Sequence, residues 1–285
     1  MCIRDRSEEE ASLSNNEPVM MMNPLNKDMG YLRTSLLPGL MKAADLNIKH
    51  SNTNLRIFEL GHVHFTSSSI STGVEERKYL SGIVVGDIIG ENVHSDPKAE
   101  DLFSLKSYLV TLFEKKLSMR MEINNTIDSL GFELAHSVTI NRQEIGKMGR
   151  ISSDWIRSMR LDLEIVYGFE LDLEPLERMF GSKRSFKKVS PYPKIVRDLN
   201  LVMPEEQEVG SIIEIFHKKG KKLLINSKPV DVFMDEGSIG KNMKSVTFSL
   251  VFQDTSKTLE DKDVNPIIDE IIRVAKNDFN AKLRT

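Results

Sequence analysis

Arg197 and Asp198 stand side by side in SPYPKIVRDLNLVMP (190–204), where two prolines lead into an alternating apolar run. Read alone, they make a surface ion pair at a strand start, which contributes little. Gln253, Asp254 and Thr258 lie in FQDTSKTLEDKDVN (252–265), a polar stretch suited to turn-making. Within it Asp263 is expected to cap the next helix, with Pro266 in its first turn. Lys218, Lys219, Lys221 and Lys222 gather around a helix C-terminus, where cations are favoured anyway. His62 and His64 alternate on one strand as a metal pair would. With no carboxylate or cysteine at ligand spacing, no metal site is expected. His50, His94, His136 and His217 stand alone, and Trp155 and the methionines read as packing. No glycine-rich phosphate loop, serine-histidine-aspartate set or nucleophilic cysteine setting is visible, so no catalytic residue is assigned.

These residues need elements to hold them, and 285 residues suffice for about two domains. The net charge of −3 hides a split, with +4 from Lys183 onward and −7 before it. The single cysteine, Cys2, excludes an intrachain disulfide and fits a reducing, cytoplasmic setting. No apolar run is long enough to span a bilayer. Residues 1–17 read as a disordered leader or artefact, without periodicity.

A helix is expected over Leu32–Ile48, with Leu36, Leu40, Ala43 and Leu46 or Asn47 on one side and Pro38 in its first turn. LRIFELGHVHF (55–65) reads as a strand, TSSSISTGVEERK (66–78) as a mobile loop, and Tyr79–Ile88 as a buried strand. Leu102, Leu105, Leu109, Leu112, Phe113 and Leu117 give an amphipathic helix over Ala99–Leu117. A hairpin turns about Asn141-Arg142, a serine-capped short helix follows at SSDWIRSM, and Leu163–Leu173 is a further strand. GSKRSFKKV (181–189) is a cationic linker, with a domain boundary near Lys188.

Beyond the boundary the order is strand, helix, strand, strand, helix and a short closing strand at Lys282–Arg284. Val246, Phe248, Leu250 and Phe252 share one face of a strand, while Ile267, Ile268, Ile271, Ile272, Ala275 and Phe279 form one helical stripe. Two helices must then cover one face of an antiparallel sheet, a ferredoxin-like βαββαβ arrangement whose other face stays in water. The expected class is α+β.

NPLNKDMGYLRTSLLPGL (23–40), RIFELGHVHF (56–65), SPYPKIVRDLNLV and VTFSLVFQDTSKTLEDKDVN (246–265) occur in this order. By these motifs the chain resembles the C-terminal part of the bacterial-type phenylalanyl-tRNA synthetase beta subunit, from about Asn23 to Arg284. The resemblance implies two domains. Residues 18–185 would be an N-terminally truncated class II synthetase-like core without chemistry. Residues 190–285 would be a ferredoxin-fold anticodon-binding domain, so the chain reads as a fragment.

The family works as a heterotetramer, so the implied partners are the catalytic alpha subunit, a second beta subunit and tRNA(Phe), with no membrane or DNA partner. ATP and Mg2+ belong to the holoenzyme, and no ligands for them are placed in this chain. In the catalytic paralogue the strand equivalent to RIFELGHVHF carries an arginine for the ATP α-phosphate. Here it carries His62, His64 and Phe65, and Asp172 and Glu174 would repel a triphosphate. The resemblance makes Tyr192, Arg197, Asp198, Gln253, Asp254, Thr258 and Arg284 the candidate tRNA-binding residues. Arg197 would meet phosphate or base, Asp198 would orient it or accept from a base edge, and Tyr192 would offer a ring to a loop base.

A rival reading makes the tail a ferredoxin-like regulatory or small-molecule-binding module on an unrelated scaffold, since that fold hosts many functions. A purely scaffolding reading predicts no RNA affinity. Steep weakening by salt separates tRNA binding from capture of a neutral ligand.

Overall fold

The computed structural model describes residues 5–6, 17–24, 30–90, 92–177 and 189–284 and divides into two compact units, Met1–Arg184 and Ser185–Thr285. Of the linker expected at 181–189, all but Val189 lies outside the described residues. Among the described residues no helix is long and apolar enough to cross a membrane.

The first unit opens with a two-residue ladder of β1 (Asp5–Arg6) on β2 (Tyr31–Leu32). Most of the expected leader lies outside the described residues, but this ladder and the Glu17 carbonyl, which accepts from the Thr66 amide at 3.1 Å, belong to the fold. Helix α1 (Leu37–Lys49) starts later than expected, with Pro38 in its first turn. The preceding Arg33 is held out of the helix by Glu59, at 2.6 Å, and the His62 carbonyl, at 2.8 Å. Its buried face is Leu37, Leu40, Met41 and Ala44, so Ala43 and Leu46 of the expected stripe face solvent.

Strands β3 (Leu55–Thr66) and β4 (Val74–Val85) pair along their whole length, from Leu55 opposite Val85 to Thr66 opposite Val74. The expected loop therefore shrinks to residues 67–73. Glu75 and Arg77 look like loop residues in isolation, but they pair with each other, and Arg77 also reaches Asp172 at 3.0 Å. β4 stops short of Ile88 because Gly86, at φ +82°, turns the chain where a Cβ would lie 2.3 Å from the Thr53 carbonyl oxygen. β5 (Asp87–Ile89) and β6 (Lys98–Ala99) follow as a small ladder.

Helix α2 (Leu102–Val110) is shorter than expected at both ends. Asp101 caps it by accepting from the Ser104 amide at 2.6 Å, and at Thr111–Lys116 the chain continues as a wider π turn. That turn breaks the stripe, burying Phe113 and leaving Leu112 36% exposed.

β7 (Met121–Ile127), a polar strand unread in the sequence, precedes β8 (Phe132–Ile140) and β9 (Gln143–Ile151). The β8–β9 hairpin turns at Asn141-Arg142 with φ of 49° and 70°, the double positive φ that suits strand twist. In α3 (Ser153–Ser158) the expected serine cap is absent, and Glu133 accepts the Ser153 amide at 2.7 Å instead. β10 (Tyr167–Asp172) and the single turn α4 (Glu174–Glu177) complete the unit. The six-stranded antiparallel sheet runs β3-β4-β10-β9-β8-β7. Its one face packs Ile83, Ile151 and Val166 against α1 and α3, and the other packs Met148, Phe169 and Leu171 against α2.

The second unit contains β11 (Ile195–Pro204), α5 (Val209–Gly220), β12 (Leu224–Phe233), a short α6 (Glu236–Ile239), β13 (Met243–Phe252), α7 (Asp261–Phe279) and β14 (Lys282–Leu283). The antiparallel order β12-β13-β11-β14 with both long helices on one face is the expected ferredoxin-like sheet. Phe216 meets Phe248 edge-on at 4.9 Å within this core. Helix α7 starts at Asp261, which corrects two expectations. Asp263 sits in the first turn, accepting from the Glu260 amide at 2.9 Å, and Pro266 lies further inside the helix.

Candidate nucleic-acid interface

Residues paired across a ladder share a face, so register decides which side chains the open side of the sheet presents. In β11, Leu199, Leu201 and Met203 point into the helix-covered core. The pleat puts Arg197 on that same side and Asp198 and Asn200 on the open side. Arg197 and Asp198 therefore do not form the pair their adjacency suggested. The Arg197 guanidinium is held instead by Asp261 at the start of α7.

Register from Asn200 and Asp198 adds Ser245, Thr247 and Ser249 on β13, then Asp231, Lys228 and Phe233 on β12, to the open face. Asn200 Oδ1 accepts from Ser245 Oγ at 2.6 Å, and the Arg284 amide bonds the Asn200 carbonyl at 3.0 Å. The Arg284 guanidinium lies over the Phe233 ring, 4.8 Å from its centroid. Carboxylates and cations are mixed here, so the face is less uniformly basic than the tail's net charge suggests.

A second group forms where β11 begins and β13 ends. Gln253 Nε2 donates to the Tyr192 carbonyl at 2.6 Å, and Ser190 Oγ donates to the Asp254 carbonyl at 2.7 Å and accepts the Tyr192 amide at 3.2 Å. The Asp254 carboxylate accepts from the Ser256 amide and hydroxyl at 2.8 and 2.7 Å, and these bonds hold its pKa below the ordinary value. Lys257 Nζ reaches Asp263 at 2.6 Å, and Thr258 is exposed shortly before α7 begins.

Of the residues singled out in the sequence, Tyr192, Gln253, Asp254 and Thr258 thus lie on one connected loop system, with Arg197 tied to it through Asp261. Arg284 stands apart, on the open face beside Phe233. Phe233, Asn200 and Ser245 escaped the sequence reading, although their alternation along the strands was a usable signal.

In the first unit, ladder register brings a carboxylate to the two histidines of β3. Glu76 Oε1 lies 3.8 Å from His62 Nδ1 and 3.5 Å from His64 Nε2, a carboxylate that cross-strand pairing supplies and sequence spacing does not reveal. Among the described residues no cluster of three or more histidines, cysteines or carboxylates has metal-holding geometry. Asp172 does not act as a bare negative charge, because Arg77 pairs with it. Arg56 is engaged by Glu100 at 2.5 Å and Tyr108 at 3.0 Å.

Two family models match in tandem: the phenylalanyl tRNA synthetase beta chain CLM domain over residues 3–173 and the ferredoxin-fold anticodon binding domain over residues 190–284. The chain belongs to the phenylalanyl-tRNA synthetase beta chain family. Similar members of this family include the phenylalanine-tRNA ligase beta subunit of Listeria monocytogenes, 27% identical over 276 residues, covering 96% of this chain and 34% of the relative. That of Thermotoga maritima is 27% identical over 277 residues, with 95% and 34% covered. The chain thus spans about a third of the length of the curated beta subunits it matches. A pyrrolysyl-tRNA synthetase from Desulfitobacterium hafniense aligns with a TM-score of 0.42 at 17% identity, over 55% of this chain and 52% of the other.

Proposed function

We propose that this chain works as the non-catalytic part of a phenylalanine-tRNA ligase beta subunit, gripping the anticodon region of tRNA(Phe) with its second unit. Its first unit supports a catalytic alpha subunit, with a second beta subunit in the assembly. ATP and Mg2+ act at the holoenzyme, away from this chain's own residues.

The observation that carries this reading is the one-sided sheet of the second unit. Both long helices cover one face, while the other presents Phe233, Arg284, Asn200 and Thr247. Single-stranded loop bases are held by ring stacking and by hydrogen bonds to their exposed edges, and this face offers both. Phosphates would fall to Arg284 and Lys228 and, through the loop system, to Lys257 and Arg197. Tyr192, Asp198, Gln253, Asp254 and Thr258 remain candidates for base edges, with Asp198 as an acceptor on the open face. Support for subunit contacts comes from Phe58 and Leu60 on the edge strand β3 and Phe103 on α2, large apolar side chains that are 73%, 54% and 76% exposed.

The test is equilibrium binding of tRNA(Phe) across a salt series. The log of the association constant should fall linearly with log salt, by about 0.7 per neutralised single-strand phosphate. Salt-insensitive or absent binding overturns the proposal.

A further inference from the structure

The strands of the first unit line up a row of polar residues across the face beneath α1. Register places Ser137 opposite Lys147, Lys147 opposite Glu170, Glu170 opposite Ser81, and Ser81 opposite Glu59. Glu59 at one end is taken by Arg33. Lys147 and Glu170 in the middle are cross-strand neighbours of opposite charge, yet each is held by other groups. Lys147 Nζ donates to Ser129 Oγ at 2.7 Å and lies 5.1 Å from the Phe132 ring centroid. Glu170 is buried, and three donors converge on its Oε1: Ser35 Oγ at 2.7 Å, the Leu36 amide at 3.1 Å and Ser81 Oγ at 3.3 Å. Its Oε2 takes none of the three.

Both charges line a cavity of about 200 Å³, whose walls include Ile127, Leu130, Phe132 and Trp155. Trp155 is only 5% exposed, and its indole N–H is buried with no hydrogen-bond partner among the described residues. Gly131, at φ +86°, lets the benzo edge of that indole close in, where a Cβ would stand 3.1 Å from it. The cavity therefore combines a cation and a carboxylate with an apolar wall. Burying each of these polar groups costs free energy that only a complementary partner recovers.

We propose that this cavity binds a small zwitterion, whose ammonium is taken by Glu170, whose carboxylate is taken by Lys147, and whose short apolar body lies against Ile127 and Leu130. A cavity of about 150 Å³ accepts benzene, so this one suits a ligand of slightly more atoms and excludes a nucleotide. Burial raises the Glu170 carboxyl above its ordinary pKa and lowers the Lys147 ammonium below its own. A ligand ammonium beside Glu170 and a ligand carboxylate beside Lys147 each favour the charged forms that burial disfavours. This site is independent of the tRNA reading of the second unit.

Trp155 is the single tryptophan of the chain, so its fluorescence reports on this cavity alone. The test titrates the 285-residue chain with L-valine and γ-aminobutyrate. The controls are isobutylamine and isovalerate, which keep the apolar body but carry one charge each. At least one zwitterion should give a saturable change, with an affinity of about millimolar or better. The single-charge controls, and the zwitterion on Lys147→Met or Glu170→Gln, should bind about tenfold more weakly or worse. The control arm uses unaltered protein, so it stands whether or not the variants fold. The proposal is overturned by an unresponsive Trp155 with both zwitterions, by controls that bind as well as they do, or by folded variants that bind like the parent.

Discussion

Arg197 and Asp261 form an ion pair that ties the start of β11 to the first residue of α7. The guanidinium thus sits beside the loop carrying Gln253, Asp254 and Thr258, while Asp198 projects from the opposite face of the strand. As a link between partly exposed groups, the pair contributes about 0–1 kcal/mol to stability. A specific charged contact with RNA is larger, about 1–3 kcal/mol. Arg197→Ala should therefore leave thermal unfolding of the second unit nearly unchanged while weakening tRNA(Phe) binding by that larger amount. Equal affinities of parent and variant in a filter assay would restrict Arg197 to its link with α7.

Phe233 and Arg284 make a stacked pair on the open face, separated by 4.8 Å. Phe233 is 37% exposed, so its ring is available to a base. Phe233→Ala should lower tRNA affinity by about 1–3 kcal/mol, the range for loss of one stacking platform. Arg284→Ala should weaken binding and also flatten its salt dependence. A double-mutant cycle checks both, since residues in contact should lose less together than the sum of their separate losses.

The second unit was legible because its pattern is local. Val246, Phe248, Leu250 and Phe252 alternate, the α7 stripe repeats at helical spacing, and nothing at long range overrides either. Much of the first unit was not. Glu75 and Arg77 become strand residues only because β3 pairs with them, and the polar β7 carries little apolar signal. The π turn after α2 shifts the register of its stripe, which spacing alone does not reveal. Site residues divide in the same way. Adjacent residues such as Arg197 and Asp198 invite a pairing that the pleat forbids, whereas Lys147 and Glu170 meet only through ladder register.

Glu170 gives the first unit a pH dependence whose sign follows from its burial. Desolvation raises its folded pKa, with hydrogen bonds from Ser35, Leu36 and Ser81 and the charge of Lys147 opposing in part. A raised carboxyl pKa means that the folded state holds its proton more tightly than the unfolded state. That contribution is fully present below the ordinary carboxyl value and is lost as pH rises through the folded one. Glu170→Gln removes the titration but keeps an oxygen for the three donors. Urea unfolding from mildly acidic to neutral pH should show the parent losing stability relative to Glu170→Gln as pH rises, and a constant difference across that range would contradict the assignment.

The β8–β9 turn offers a change in the stabilising direction. Both Asn141 and Arg142 hold positive φ, a region that asparagine tolerates and that a long side chain enters at a cost of about 1–2 kcal/mol. Arg142→Gly would produce Asn-Gly, the dipeptide that two-residue hairpins of this kind prefer. Glycine also gains entropy in the unfolded chain, which offsets part of the relief. The net expectation is a stabilisation of about 0.5–1 kcal/mol, read as a higher urea midpoint for the first unit at unchanged slope. A lower midpoint would mean that Arg142 makes contacts worth more than the strain it carries.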